Sequence, residues 1–506
     1  MPDTRSRNLT AIAIFAGVFA LLFIFHSHRF VATNDEGMIL EPAQRMLSGA
    51  RPYVDFFGYM SPGSYWIQAQ VYRVFGVAMW TSRVVVMFDL SLECALVFWI
   101  VARVASRRAA VAAVLIFAGF QIADPSYVTS AHRWDSAALA LAGVAAGLSE
   151  WKWRWLASGA LLAAATWCTP ALALVGGAVV LFLAIRERGG LAPFAAGIAT
   201  VSIPAVAALG WTGTFGAFLK QLAWLRTNYA AVNVMPYGSI IGGYRALFEG
   251  SANAAEAAVR AVLVLGVALP AILPVAAVGL FALRGRRRDL ELLTLAAVAI
   301  TATVFPRADV AHLMFIEALP LVVCVAALTR FPRAGAALAM AGVVLAGIFG
   351  MNFFTTLRGT EMVASPIGEL RVASQQAPDL AGLFAKVRPR QGLFVYPYMP
   401  IVYVATQTTN PTRFSYLAPG MMTEREASEA LDELRASPPE WVLYMKLSRE
   451  EFLRVFPHAT GLDWHFASLE EWLDANYAPV EPAVSLWGYR LCRRNGAVGE
   501  KAVKGL

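Results

Sequence analysis

The sequence predicts an α-helical polytopic membrane protein with about eleven transmembrane helices and a small C-terminal extracytoplasmic α/β domain. Three observations carry this expectation. Hydrophobic residues make up 58% of the chain and charged residues only 15%, a balance far from that of soluble domains. Apolar runs long enough to cross a bilayer recur through the first two thirds. Beyond Arg358 those runs stop and the shorter periodicities of water-soluble strands and helices begin.

Taken in order, spans are expected at 9–25, 81–101, 109–122, 136–148, 155–168, 171–185, 193–211, 259–283, 290–305, 311–328 and 334–354. The third and fourth are short for a ~30 Å hydrocarbon core and call for tilt or a partly re-entrant path. Orientation follows from the cations. Arg5 and Arg7 precede the first span, and Arg103, Arg107 and Arg108 follow the second. Lys152 with Arg154, Arg186 with Arg188, Arg284 with Arg286, Arg287 and Arg288, and Arg330 with Arg333 then fill every second connection. All these sites share one face, which the positive-inside rule makes cytoplasmic together with the amino terminus. The loop at 31–80, the connections at 124–135, 212–258 and 306–310, and the C-terminal region then lie outside. Topological anchoring accounts for the net charge of +8 without nucleic acid as a partner. The exit of the first span, Phe23 to His28, lacks a small-x-small cleavage pattern, so an uncleaved helix is expected. Cys94, Cys168 and Cys324 lie in apolar spans, which implies no disulfide framework.

The chain divides into a membrane module at 1–357 and an external domain at 358–506. Within the latter, 392–397 (GLFVYP) and 440–445 (EWVLYM) have the pattern of buried strands, 423–436 and 448–456 that of amphipathic helices, and 485–492 that of a closing strand. This domain carries no catalytic motif of its own.

The most informative stretch is 34–76, NDEGMILEPAQRMLSGARPYVDFFGYMSPGSYWIQAQVYRVFG. It follows the first span directly, so Asp35 and Glu36 emerge at a membrane surface, where each carboxylate must be solvated or paired. Helices lying along the outer surface are expected at 34–46 and 64–74. The stretch resembles the first extracytoplasmic loop of the polytopic glycosyltransferases that use lipid-phosphate sugars. That group includes the protein O-mannosyltransferase and aminoarabinose transferase relatives, and in it an acidic pair just after the first helix sits at the active site. The matching positions here are Asp35 and Glu36, then Gly49, Pro52, Tyr53, Asp55, Phe56, Pro62 and Arg83. The resemblance covers the chain to about Arg358 and is most specific between Asn34 and Arg83. It implies a sugar donor linked to polyprenyl phosphate, a glycan, lipid or protein acceptor, and Asp35 as catalytic base with Glu36 orienting it or a substrate hydroxyl.

The chemistry of such a transfer agrees with the residue types. An acceptor hydroxyl needs a carboxylate base as it attacks, whereas the leaving phosphate is already anionic and needs cations or backbone donors. Candidates for substrate and phosphate binding are Tyr53 and Asp55 in the first loop, His132 and Arg133 in DPSYVTSAHRWDS, and Arg307, Asp309 and His312 in FPRADVAHL. Arg133 and Arg307 are phosphate ligands in this reading, and Asp309 fixes Arg307 or His312. Plainer alternatives stand beside these. The acidic pair caps a helix at the positive end of its dipole, the loop aromatics form an interfacial belt, and Arg307 with Asp309 is a salt bridge. Asp89 and Glu93, four apart in the second span, and Glu317 in the tenth line a cavity or pair structurally. Lys220 and Arg226 hold a carrier phosphate or contact lipid headgroups.

No cofactor is expected. Six histidines with no ligand spacing offer no support for a divalent metal, which Asp35 or Glu36 would have to hold. Membrane lipids are expected neighbours, and the location is a bacterial inner membrane. A multi-pass transporter is the competing class; it calls for midplane charges and repeated halves, whereas the candidate charges here gather at outer helix ends and no repeat is visible. An envelope assembly protein, binding a partner through its external domain, is a third reading.

Overall fold

The structure, a computed structural model, describes residues 4–31, 34–123, 128–240, 243–248, 253–284, 287–329, 331–418, 420–455 and 466–496. Part of the 124–135 connection, Arg286, Arg330 and residue 456 of the expected helix at 448–456 lie outside the described residues.

The helices follow the apolar runs. In order they are α1 (Thr4–His26), α2 (Asn34–Leu47), α3 (Pro62–Phe75), α4 (Met79–Val104), α5 (Arg107–Ala123), α6 (His132–Leu148), α7 (Arg154–Cys168), α8 (Ala173–Arg186) and α9 (Leu191–Trp211). The outer segment that follows holds α10 (Phe215–Trp224), a π-helical turn (Leu225–Tyr229) and the single turn α11 (Ala230–Val232). Then come α12 (Ala254–Arg284), α13 (Arg288–Ala302), α14 (Val310–Met314), α15 (Ala318–Leu328) and α16 (Pro332–Arg358). Among the described residues, α1, α4 and the Arg188–Trp211 helix are long and apolar enough to cross a membrane by length and composition, and the protein is a multi-pass membrane protein. The run at 311–328 is not one helix as expected but breaks into α14 and α15. Pro320 explains the break, because it has no N–H to give to Ile316 and its ring crowds that carbonyl. The glycines Gly159 and Gly197 face backbone across the α7–α9 crossing, where an added Cβ would stand 2.1 Å from the carbonyl oxygens of Phe194 and Leu156. Small residues let helices approach this closely in a bilayer.

The basic connections meet in one layer at one end of the bundle. Arg103 lies 3.3 Å from Glu150 and 3.5 Å from Asp289, and Arg186 is 2.6 Å from Glu291. Arg154 and Arg288 both pair with Glu187, and Arg7 stacks on Trp99 at 4.8 Å.

Past α16, β1 (Thr360–Ser365) and β2 (Gly368–Ala373) form a hairpin, and α17 (Ala377–Lys386), β3 (Leu393–Tyr396), α18 (Ile401–Thr406), α19 (Glu424–Ala436), β4 (Trp441–Tyr444), α20 (Arg449–Val455), α21 (Ala467–Asn476), β5 (Tyr477–Pro479), β6 (Ser485–Leu486) and β7 (Tyr489–Arg494) follow. The main sheet runs β3-β4-β7-β5, with β3 and β4 parallel and β6 paired to β7. The expected strand at 485–492 folds back at Trp487 and Gly488, whose φ values of 51° and 89° suit a tight hairpin turn.

This region grips the first outer loop. The Arg371 N–H donates to the His28 carbonyl at 2.7 Å, and the Phe30 N–H donates to the Arg371 carbonyl at 2.9 Å, so β2 is extended by the chain leaving α1. Arg45 donates to the Thr412 carbonyl at 3.0 Å and to Ser415 Oγ at 3.2 Å. One apolar core contains Phe30, Leu40, Ala69 and Tyr72 together with Leu370, Val402 and Leu491. The contact is closest at Gly37, where an added Cβ would stand 2.1 Å from Ile401 N. Backbone there cannot yield as a side chain does, so Gly37→Ala is expected to cost about 1–3 kcal/mol by overpacking. A thermal melt of the detergent-solubilised protein checks this, and an unchanged midpoint would show that α2 is not clamped.

Candidate functional site

Two cavities meet beside the first turn of α2. The first, of about 470 Å³, is lined by Asp35, Tyr59, Tyr229, Asn233, Arg307, Asp309 and His312, and by Tyr398, Tyr416 and Met421 from beyond α16. The second, of about 490 Å³, is lined by Asp35, Ser61, Thr129, His132, Arg133, Thr169, Arg226, Tyr229 and His312. Its remaining wall is apolar, with Leu222, Leu225, Phe305, Pro306 and Phe315. Asp35, Tyr59, Tyr229, Ala311 and His312 belong to both, so Asp35 stands where they join.

Asp35 lies in the first turn of α2, at the positive end of the helix dipole. Its side chain is exposed to the cavities, and its charge is felt by Arg133 and by the hydroxyls of Tyr59, Tyr229 and Tyr416. Arg133 opens α6, one residue after His132, whose Nδ1 sits 2.7 Å from Thr169 Oγ1. Among the described residues the guanidinium of Arg133 has no hydrogen-bond or ion-pair partner, and neither has that of Arg226 on the π-helical turn. Two uncommitted cations in an apolar-walled cavity suit an anionic group carried on an apolar chain.

Arg307 is committed. Its Nε donates to Asp309 Oδ2 at 2.9 Å and its NH1 to Asn233 Oδ1 at 2.7 Å. Asp309 caps α14 by accepting the His312 N–H at 3.0 Å, and its other contact, to His312 Nδ1, is 2.6 Å. Burial alone would push the Asp309 carboxyl up; the hydrogen bonds from His312 and the charge of Arg307 outweigh it and hold it at about 2. The outer segment is pinned to this turn by backbone bonds from Met235 to Pro306, Gly238 to Ala308 and Val310 to Ser239. It is pinned to the C-terminal region by Asn228, which donates to the Met421 carbonyl at 3.0 Å.

Three sequence candidates lie away from the cavities. Glu36 points to the opposite side of α2, where it pairs with Arg83 at 3.0 Å and accepts the Ser130 N–H at 3.3 Å, both side chains being wholly buried. Consecutive helical residues project about 100° apart, so only one of the acidic pair can face the cavity. Tyr53 is buried at φ 68° with its hydroxyl donating to the Met60 carbonyl at 2.8 Å, which shapes the loop and leaves no group for a ligand. Asp55 is on the surface, gripped in bidentate fashion by Arg51 at 3.0 Å. The geometry makes Glu36 a structural ion-pair partner. Arg83→Met is expected to destabilise the protein by about 3–5 kcal/mol by stranding the Glu36 carboxylate, and adding Glu36→Leu should recover most of that loss. Equal melting points for the single and double variants would contradict this.

Tyr229, Asn233, Tyr398, Tyr416 and Met421 are site residues that the sequence reading did not single out. For Tyr398 and Tyr416 the aromatic–proline strings VYPYMP and FSYLAP are a signal; Tyr229, Asn233 and Met421 have none of that kind.

The multi-helix bundle, with α2 and α3 following its first helix and a small sheet region closing over them, resembles the fold of GT-C membrane proteins. No protein-family model matches the chain, and no curated protein matches its sequence. Solved structures do match. The ArnT of Cupriavidus metallidurans bound to undecaprenyl phosphate aligns with a TM-score of 0.57 at 12% identity, over 96% of this chain and 98% of that one. The same protein in the apo state gives 0.57 at 14% identity over 95% and 97%. The Archaeoglobus fulgidus oligosaccharyltransferase in the apo form gives 0.50 at 11% identity over 90% and 72%. At these identities the likeness establishes the fold.

Proposed function

We propose that the protein is a membrane glycosyltransferase that moves a sugar from a polyprenyl-phosphate donor to an acceptor hydroxyl. The observation that carries this is the position of Asp35, a carboxylate at the junction of two cavities, one of which offers unpaired guanidinium groups within an apolar wall. The ArnT likeness, with undecaprenyl phosphate bound in that structure, supports the same donor class.

In the proposed reaction Asp35 takes the proton of the acceptor hydroxyl as its oxygen bonds to the anomeric carbon. The bond from that carbon to the phosphate oxygen breaks on the opposite side, and the configuration inverts. Its electron pair stays on the bridging oxygen, where Arg133 and Arg226 offset the growing charge. The cation-rich end of the bundle is cytoplasmic in this reading, so the cavities open on the extracytoplasmic face of a bacterial inner membrane. The test is release of undecaprenyl phosphate from undecaprenyl-phosphate-linked sugars by the purified protein in nanodiscs. Absence of release with every donor sugar offered, although the protein is folded, would remove this function. Mass spectrometry of the glycans and glycolipids of a deletion strain then identifies the product.

A further inference from the structure

The first cavity is walled by four tyrosines in ring contact. Tyr398 and Tyr416 have centroids 4.9 Å apart, Tyr416 and Tyr59 5.4 Å, and Tyr59 and Tyr229 5.9 Å. Two of these four come from the region beyond α16, which also supplies Met421. Apart from Asp35, the charged side chains in this wall are paired. Arg307 is held by Asp309 and Asn233, and Asp309 stays ionised well below neutral pH, so the pair remains closed wherever the protein works. What the cavity offers an incoming molecule is therefore a run of aromatic rings, the hydroxyl of Ser239 and the carboxylate of Asp35.

A phosphorylated or carboxylated acceptor would enter this space without a free cation and would face the Asp35 carboxylate, with the charge buried at a cost. A sugar ring fits the same lining. Its C–H faces pack on tyrosine rings, which are apolar across the ring and polar at the rim, and its hydroxyls reach hydrogen-bonding groups. Resting on the glycosyltransferase reading above, we infer that the acceptor is an uncharged saccharide, stacked on Tyr398 and Tyr416 so that one ring hydroxyl faces Asp35. The region beyond α16 thereby selects the acceptor, while the second cavity holds the carrier. A neutral saccharide can arrive as the end of a free glycan or as a glycolipid headgroup; the recognising chemistry is the same.

The test uses the full-length protein in nanodiscs. Saturation-transfer NMR is recorded with methyl glycosides of glucose, galactose and mannose, and with the corresponding hexose 6-phosphates. At least one neutral glycoside should bind saturably, and its 6-phosphate should bind no more tightly. Tyr398→Leu and Tyr416→Leu should each weaken that binding by about three- to tenfold, whereas the Phe variants keep it. Addition of a glycosyl diacylglycerol bearing the same sugar separates the sources: it competes if the headgroup of a lipid is the acceptor and does not compete if a free glycan is. Undecaprenyl phosphate binding is measured on every variant. If it persists while no glycoside binds, if a 6-phosphate binds tenfold more tightly than its neutral parent, or if the Leu variants bind as wild type does, the saccharide assignment is overturned and the transferase stands. If wild type binds no undecaprenyl phosphate, the parent reading fails instead.

Discussion

Asp35→Asn is expected to bind the lipid-linked donor normally and to transfer its sugar about 10²–10⁴-fold more slowly, the usual loss when a general base is removed. The asparagine amide keeps the size of the carboxylate and can still accept a hydrogen bond, but it cannot take the proton. Folding should survive, because among the described residues the Asp35 side chain accepts no hydrogen bond and makes no salt bridge. The helix loses one favourable charge at its positive end, worth about 0.3–1 kcal/mol at an exposed site. That small stability change and the large rate change separate the two roles open to an acid in this position. A cap alone would show the first without the second. Measuring single-turnover transfer and the melting temperature on the same preparation decides it, and near wild-type turnover would reduce Asp35 to a helix cap.

Much of this architecture was legible in the residues, for identifiable physical reasons. Spans follow from the energetics of apolar surface and unpaired backbone in a bilayer, which is why α4, α9 and α16 begin and end within a few residues of the apolar runs. The short helices α17 and α18, and pairings that depend on distant partners, were not legible. The edge made by His28 and Phe30 on β2, and the seat of α2 on α18, join residues more than three hundred positions apart with no local pattern to announce them. The outer charges show the same division. Their presence on a common face followed from chain order, and six of the candidates, Asp35, His132, Arg133, Arg307, Asp309 and His312, do line the cavities. Which charges are free and which are neutralised depends on the partner. Glu36 is consumed by Arg83, Asp55 by Arg51, and Arg307 by Asp309, while Arg133 is left open and Arg226, for which the sequence allows a carrier phosphate or a lipid headgroup, faces the same cavity.

That difference makes Arg133 and Arg307 experimentally separable. Arg133→Ala removes an uncommitted cation, so the fold should hold while donor affinity falls and the transfer step slows by about 10²–10³-fold, as when one donor to a developing oxyanion is deleted. The rate suffers beyond affinity because charge on the bridging phosphate oxygen is greater in the transition state than in the bound donor. Arg133→Lys should recover only part of the loss, since it restores charge without the planar fork. Arg307→Ala acts by another route. With its partner 5% exposed, it leaves the buried Asp309 carboxylate without its guanidinium, held by His312 alone, and leaves Asn233 Oδ1 without its donor, so the turn at α14 and the segment bonded to it should both loosen. Breaking one side of such a pair costs about 3–5 kcal/mol. A double-mutant cycle gives the discriminating readout. Arg307→Ala combined with Asp309→Ala should destabilise much less than the sum of the single changes, whereas Arg133→Ala combined with Asp309→Ala should be close to additive in stability. Strong stability coupling for Arg133, or unchanged donor affinity in Arg133→Ala, would move the phosphate site to Arg226 and the π-helical turn that carries it.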